Sequence, residues 1–137
     1  MARWTCPRCD REFGRANQPH VCVPGQSIDA TFAGRPPVLR TIADAVIAHV
    51  RTLGPVHLDV VGVGVFVKRA RTLVEIRPQA RAVTLWIVLD HFVDGRQVTR
   101  HVSASSTRSV SVVKLTVMDD FDDDVRAWLD EAYAYAE

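Results

Sequence analysis

Val83-Thr84-Leu85-Trp86-Ile87-Val88-Leu89-Asp90-His91-Phe92 is a nearly continuous apolar run. Its length suits a strand better than a helix, and turn signals bound it on both sides. Pro78-Gln79-Ala80-Arg81 precedes it and Asp94-Gly95 follows it, both reading as hairpin turns. Such a run is expected to be a central strand covered on both faces. Outward from it, residues 56–61, 64–68, 72–77, 97–103 and 109–117 are valine-rich and separated by short turns, so they too read as strands. A parallel crossover takes a dozen or more residues, so strands linked this closely are expected to run antiparallel.

Helical periodicity brackets the strands. Leu39, Ile42, Ala43, Val46, Ile47, Val50 and Leu53 recur at helical spacing and form one apolar face. Pro36-Pro37 suits the start of that helix and Gly54-Pro55 its end. A second helix is expected over residues 122–136, with Val125, Trp128, Leu129, Ala132 and Tyr133 as its stripe. Asp122, Asp123 and Asp124 crowd its first turn, where carboxylates cap free N–H groups and meet the positive end of the dipole. Three consecutive aspartates point in three directions, which suits capping better than a cation site. The expected fold class is α+β. A small zinc finger precedes an antiparallel sheet of five or six strands packed against an N-terminal and a C-terminal helix, both on one face. The boundaries read as finger 1–23, linker 24–37 and main domain 38–137.

The finger reading rests on the cysteines. All three fall between positions 6 and 22. Cys6 and Cys9 form a C-x2-C pair, and Pro7 stiffens the turn between them. His20 and Cys22 follow, separated only by Val21. Together Cys6, Cys9, His20 and Cys22 give four ligands, the closed tetrahedron of structural zinc. A disulfide is the alternative, and an odd cysteine count without an apolar leader segment argues against it. So short a segment buries little core, so one Zn2+ would supply its folding free energy. Trp4 and Phe13 are the expected apolar cover. Arg8, Arg11 and Arg15 make the segment basic, which suits either phosphate or the balancing of three thiolates.

Across 137 residues the net charge is +1, so no global charge argues for nucleic acid or membrane. The distribution is uneven. Residues 119–137 hold 8 of the 16 acids but a single cation, Arg126. No run reaches the ~18 apolar residues of a membrane span, and the N-terminus lacks an apolar signal region. A reducing, cytoplasmic setting follows as an expectation.

In the main domain no motif announces catalysis. His57, His91 and His101 lie in or beside strands with no local nucleophile. Asp90-His91 would face opposite sides if both sat in a strand. Ser103-Ala104-Ser105-Ser106-Thr107 carries no nucleophile pattern. Gly62-Val63-Gly64 lacks the phosphate-cradle spacing and reads as a turn or bulge. Lys68, Arg69 and Arg71 form the densest basic group and are the candidate anion-binding residues. Arg77, Arg100, Arg108 and Lys114 follow on later strands. If several share the open sheet face, a nucleic acid could dock there, although Phe66, Trp86 and Phe92 are the only aromatics in the sheet.

The finger W-T-C-P-R-C-D-R-E-F with N-Q-P-H-V-C, the run F-A-G-R-P-P-V-L-R, the segment G-V-F-V-K-R-A-R-T-L-V-E-I-R-P and the closing D-D-V-R-A-W-L-D-E-A-Y resemble bacterial proteins of the domain of unknown function 5655 family. The resemblance spans nearly the whole chain. It implies a cytoplasmic α+β domain, in some members preceded by such a finger, with ligands at Cys6, Cys9, His20 and Cys22. Asp10 stands where relatives are expected to carry glycine. The resemblance implies no catalytic residue. The sequence therefore predicts a non-enzymatic zinc-containing module that binds nucleic acid or a partner protein. The alternatives are a protein with an anionic small-molecule pocket between sheet and helices, and an oligomerisation domain.

Overall fold

The computed structural model describes residues 3–7, 12–19 and 27–137. A two-stranded hairpin comes first, β1 (Trp4–Thr5) with β2 (Glu12–Phe13). Then follow α1 (Ile28–Phe32), α2 (Pro37–Leu53), β3 (His57–Val61), β4 (Gly64–Lys68), β5 (Thr72–Pro78), β6 (Val83–Leu89), β7 (Val98–Ser103) and β8 (Ser109–Leu115). A 3-10 turn (Met118–Asp120) and α3 (Asp123–Tyr135) close the chain. Strands β3 to β8 form one six-stranded sheet in the order β3-β4-β5-β6-β8-β7, and every neighbouring pair is antiparallel. The fold class is α+β with a six-stranded antiparallel sheet, as the patterning predicts.

Alternation sorts the sheet into two faces. Val65, Val67, Val74, Ile76, Leu85, Ile87 and Val113 point one way and join one core with Leu39, Ile42, Val46 and Val50 of α2 and Val125 and Leu129 of α3. Each of these is fully buried. Burying one such side chain contributes about 1.5–3 kcal/mol, so this one layer dominates the stability of the domain. Both helices therefore lie on one face, as expected. The expectation that the central strand is covered on both faces is corrected. The second face of β6 carries Thr84 and Trp86, both partly exposed, and only Val88 is buried there.

Three further readings change. The expected linker is structured from residue 27 onward. Ser27 caps α1, its Oγ accepting from Ala30 N at 3.0 Å, and Phe32 enters the main core. Asp94-Gly95 does not close a hairpin, because β6 pairs with β8 and not with β7. With β8 antiparallel to both, β6 and β7 run in the same direction. Residues 90–97 make that crossover although they are fewer than a dozen. An extended chain covers about 3.3 Å per residue, enough to run back along a short strand without a helix. The link passes on the helix side, where Val93 joins the core and its N–H donates to Ser111 Oγ at 3.1 Å. The run after Leu89 leaves the sheet, so Asp90 and His91 are not opposed strand neighbours. His91 Nδ1 lies 2.6 Å from Asp90 Oδ1.

The ends of the helices are held by other elements. Asp122 caps α3 through its Oδ1, which accepts from Val125 N at 3.2 Å. Gly54 ends α2 with φ 153°, a backbone state that favours glycine. His49 of α2 reaches Asp130 of α3 at 2.7 Å and ties the two helices together.

Candidate functional site

The β1–β2 hairpin pairs Trp4 with Phe13 and Thr5 with Glu12. Cys6 and Pro7 follow β1 directly, and Cys9 lies outside the described residues. Cys6 is 3% exposed and Phe13 8%, and the Trp4 and Phe13 rings lie 5.9 Å apart. These two aromatics cover the thiol as the sequence suggests. Cys9, His20 and Cys22 lie outside the described residues. Among the described residues no group of three or more histidine, cysteine or acidic side chains converges. Of the four expected zinc ligands only Cys6 is described, and it is buried.

The basic group 68–71 divides. Arg69 and Arg71 turn to the C-terminus of α3. Arg69 Nη1 donates to Tyr133 O at 3.1 Å, and Arg71 Nη2 donates to Tyr135 O. Ala70 N and Arg71 N both donate to Ala136 O. The two guanidiniums also lie 4.3 and 4.7 Å from the Tyr133 and Tyr135 ring centres. The last turn of α3 has no basic residue of its own. These arginines therefore supply the hydrogen bonds and the positive charge that a helix C-terminus attracts. Lys68 takes another direction and forms an ion pair with Asp59. The three side chains are neighbours in sequence that serve different contacts.

Asp59 and His57 are 4% and 7% exposed, on the edge strand β3. Asp59 Oδ1 and His57 Nδ1 have no hydrogen-bond partner among the described residues. Burial, and then the nearby charge of Arg3, hold the His57 imidazole below its ordinary pKa. Arg3 comes from the hairpin side and donates to Arg69 O at 3.1 Å. Contacts from the N-terminal segment thus reach this end of the sheet.

The other end of the same face is different. The register lines up one row across the sheet: Asp59, Phe66, Glu75, Trp86, Val112 and Arg100 on β3, β4, β5, β6, β8 and β7. Trp86 is the centre of that row. The Arg77 guanidinium lies 4.1 Å from its ring centre and that of Arg100 5.2 Å, both within cation–π range. The indole N–H donates to Thr84 Oγ1 at 3.3 Å, and that hydroxyl donates to Arg77 O at 3.1 Å. This short relay fixes the ring on the sheet. Glu75 accepts two hydrogen bonds from Arg77, at 3.1 and 2.6 Å, and cancels its charge. Arg81, Arg100 and Lys114 have no carboxylate partner among the described residues. Lys114 sits opposite Thr84. Beside it a groove of about 560 Å³ runs between Gln79, Arg81, Thr84, Lys114 and Thr116.

The sequence grouped Arg77, Arg100 and Lys114 as cations that could share the open sheet face and placed Trp86 in the sheet, but did not set them around the indole. It passed over Arg81 as part of a turn. The signal available was the alternation Thr84-x-Trp86, which puts a hydroxyl and an indole on one face. Of the remaining histidines, His101 lies 2.9 Å from Val93 O, 3.2 Å from Asp94 Oδ1 and stacks on Phe92 at 4.5 Å. Neither it nor His91 stands beside a nucleophile.

Among the described residues no helix is long and apolar enough to cross a membrane. A protein-family model described as Domain of unknown function (DUF5655) matches residues 28–136. No curated protein and no solved structure matches the chain.

Proposed function

The chain belongs to the DUF5655 family, and from that premise we propose that it is a zinc-containing binding module that takes nucleic acid on the uncovered face of its sheet. One observation carries the reading. Trp86 is fixed on that face with Arg77 and Arg100 against its ring, and Arg100, Arg81 and Lys114 have no carboxylate partner among the described residues. Aromatic surface flanked by free cations is what a phosphate backbone with accessible bases requires. The layer between sheet and helices offers less, since fully buried Leu39, Ile42, Leu85, Ile87 and Leu129 occupy it.

In this reading the N-terminal segment holds one structural Zn2+ through Cys6, Cys9, His20 and Cys22. The ion supplies folding free energy to a segment too short to bury a core. Four protein ligands leave no place for a reactant, so the metal has no catalytic task. Protein purified under reducing conditions without added metal is expected to carry one zinc per chain. Cys9→Ser should release it, and substoichiometric zinc in the unaltered protein would refute the assignment.

The binding reading is tested by retention on immobilised DNA as salt is raised. Elution well above 100 mM salt supports it, with Arg100→Ala eluting earlier. Passage through the column at low salt, or retention that Arg100→Ala and Lys114→Ala leave unchanged, refutes it. Equal retention on an immobilised acidic polypeptide would point to a protein partner instead.

A further inference from the structure

We propose that the ligand is a single strand, seated so that one base stacks against the Trp86–Arg77 pair while a flanking phosphate enters the groove between Arg81, Thr84 and Lys114. The proposal rests on the nucleic-acid reading and names the form of the ligand and its register on the face.

Three observations carry it. First, the indole N–H is not available to a ligand, and its ring already carries the Arg77 guanidinium at 4.1 Å, so a base meets a guanidinium–indole pair. That N–H is already donated to Thr84 Oγ1. Bases stack on guanidinium planes as well as on aromatic rings, and stacking tolerates any base because every base has a π face. A duplex keeps its bases stacked inside, out of reach of a side chain on a flat sheet. Second, the groove begins where the indole ends. Thr84 and Trp86 alternate on β6, and Lys114 lies opposite Thr84 on β8. A diagonal cross-strand pair such as Trp86 and Lys114 is separated by about 7–8 Å, a span that joins a base to the phosphate beside it. At about 560 Å³ the groove has room for a sugar-phosphate unit. Third, the charges are allotted. Glu75 neutralises Arg77 and Asp59 neutralises Lys68, so those two cations hold their own carboxylates. Arg81 and Lys114 at the groove and Arg100 across the indole remain for phosphates. Three contacts predict a salt slope near −2, since each phosphate neutralised on a single strand contributes about −0.7.

The test uses the full zinc-loaded chain and the anisotropy of a dye-labelled twelve-residue oligothymidylate, with a labelled duplex of the same length beside it. The single strand should bind at least tenfold more tightly than the duplex. Trp86→Ala should weaken it about 5- to 100-fold, and Trp86→Phe should restore most of the loss because a ring remains. Lys114→Ala should reduce the salt slope by about 0.7. Lys114 is exposed, so this variant tests the groove without disturbing the core. Equal binding of duplex and single strand, or a slope unchanged by Lys114→Ala, would overturn the proposal. If Arg100→Ala still weakened binding in that case, nucleic-acid recognition by the face would stand without this register. Absence of salt-dependent binding to either probe would overturn both.

Discussion

Gly62 and Gly64 flank Val63 at the β3–β4 hairpin, and the structure gives them opposite tolerances. A methyl group at Gly64 would meet the Ile76 carbonyl oxygen well inside contact, with the carbonyl carbon at 3.0 Å and Arg77 Cα at 3.1 Å. Favourable carbon contacts lie near 3.5–4.0 Å, and the obstacle is backbone of the neighbouring strand, which no rotamer change removes. Strands β4 and β5 must part at Val65–Ile76, where they are paired. Overpacking costs about 1–3 kcal/mol, and a weakened ladder hydrogen bond adds about 0.5–1.5 kcal/mol. Gly64→Ala is therefore expected to destabilise by about 2–4 kcal/mol, a large part of the ~5–15 kcal/mol of a typical domain. At Gly62 nothing lies within 4 Å and φ is not in the left-handed region. Gly62→Ala should be neutral or gain up to about 1 kcal/mol by restricting the unfolded chain. Urea unfolding of the three proteins, followed by far-UV circular dichroism, gives both values if the m-value is unchanged. A Gly64→Ala midpoint within 0.5 kcal/mol of Gly62→Ala would refute the reasoning.

Two further outcomes follow from side chains described above. Arg69→Ala combined with Arg71→Ala should destabilise by about 1–3 kcal/mol and raise amide exchange in the last turn of α3, while leaving the salt slope for nucleic acid unaltered; a reduced slope would return these arginines to the binding face. Asp120 accepts from Thr116 N at 2.8 Å, Thr116 Oγ1 at 2.9 Å, Val117 N at 3.2 Å and Arg96 at 2.8 Å. The Thr116 backbone bond first, and then Arg96, hold its carboxyl well below the usual range. A depressed folded-state pKa contributes stability that is present above the unfolded value near 4 and is lost as pH falls below it. Asp120→Asn should cost about 1–2 kcal/mol at pH 7 and flatten the loss between about pH 4 and pH 2. A variant whose acid limb parallels that of the unaltered protein would show that Asp120 is not the group responsible.

The helices were legible because their apolar spacing repeats over several turns and glycine or proline marks their ends. Strands were legible as valine-rich runs, but their pairing was not. Nothing local in residues 90–97 says that β8 will return between β6 and β7, since that depends on pairing with a segment still to come. The two faces of β6 were hidden for a related reason. Val88, buried by its neighbours, fills the outer face of that run and makes it look apolar throughout. The acceptors of Arg69 and Arg71 were not legible, because a cluster of cations in sequence carries no record of which acceptors it will meet. Their acceptors belong to residues 133–136, across the chain. The expected N-terminal ligand set rests on spacing alone, and of its four residues only Cys6 lies among the described ones.

The near-zero net charge also misleads, because it averages over two layers of opposite character. On the helix side, Asp123, Asp124, Asp130 and Glu131 are exposed along α3. Arg126 is the only cation in the last nineteen residues and lies near Asp123. On the far side of the sheet stand Arg81, Arg100 and Lys114. The acids therefore do not neutralise those cations across the sheet, because a layer of core separates them and each layer faces its own solvent. Such a molecule has a direction. A polyanion is repelled by one layer and drawn to the other, so it is oriented before contact. Net charge is thus a poor guide to ligand class here. The relevant quantity for that face is its own charge, where Arg81, Arg100 and Lys114 have no carboxylate partner among the described residues and Arg100 lies 5.2 Å from the indole ring centre.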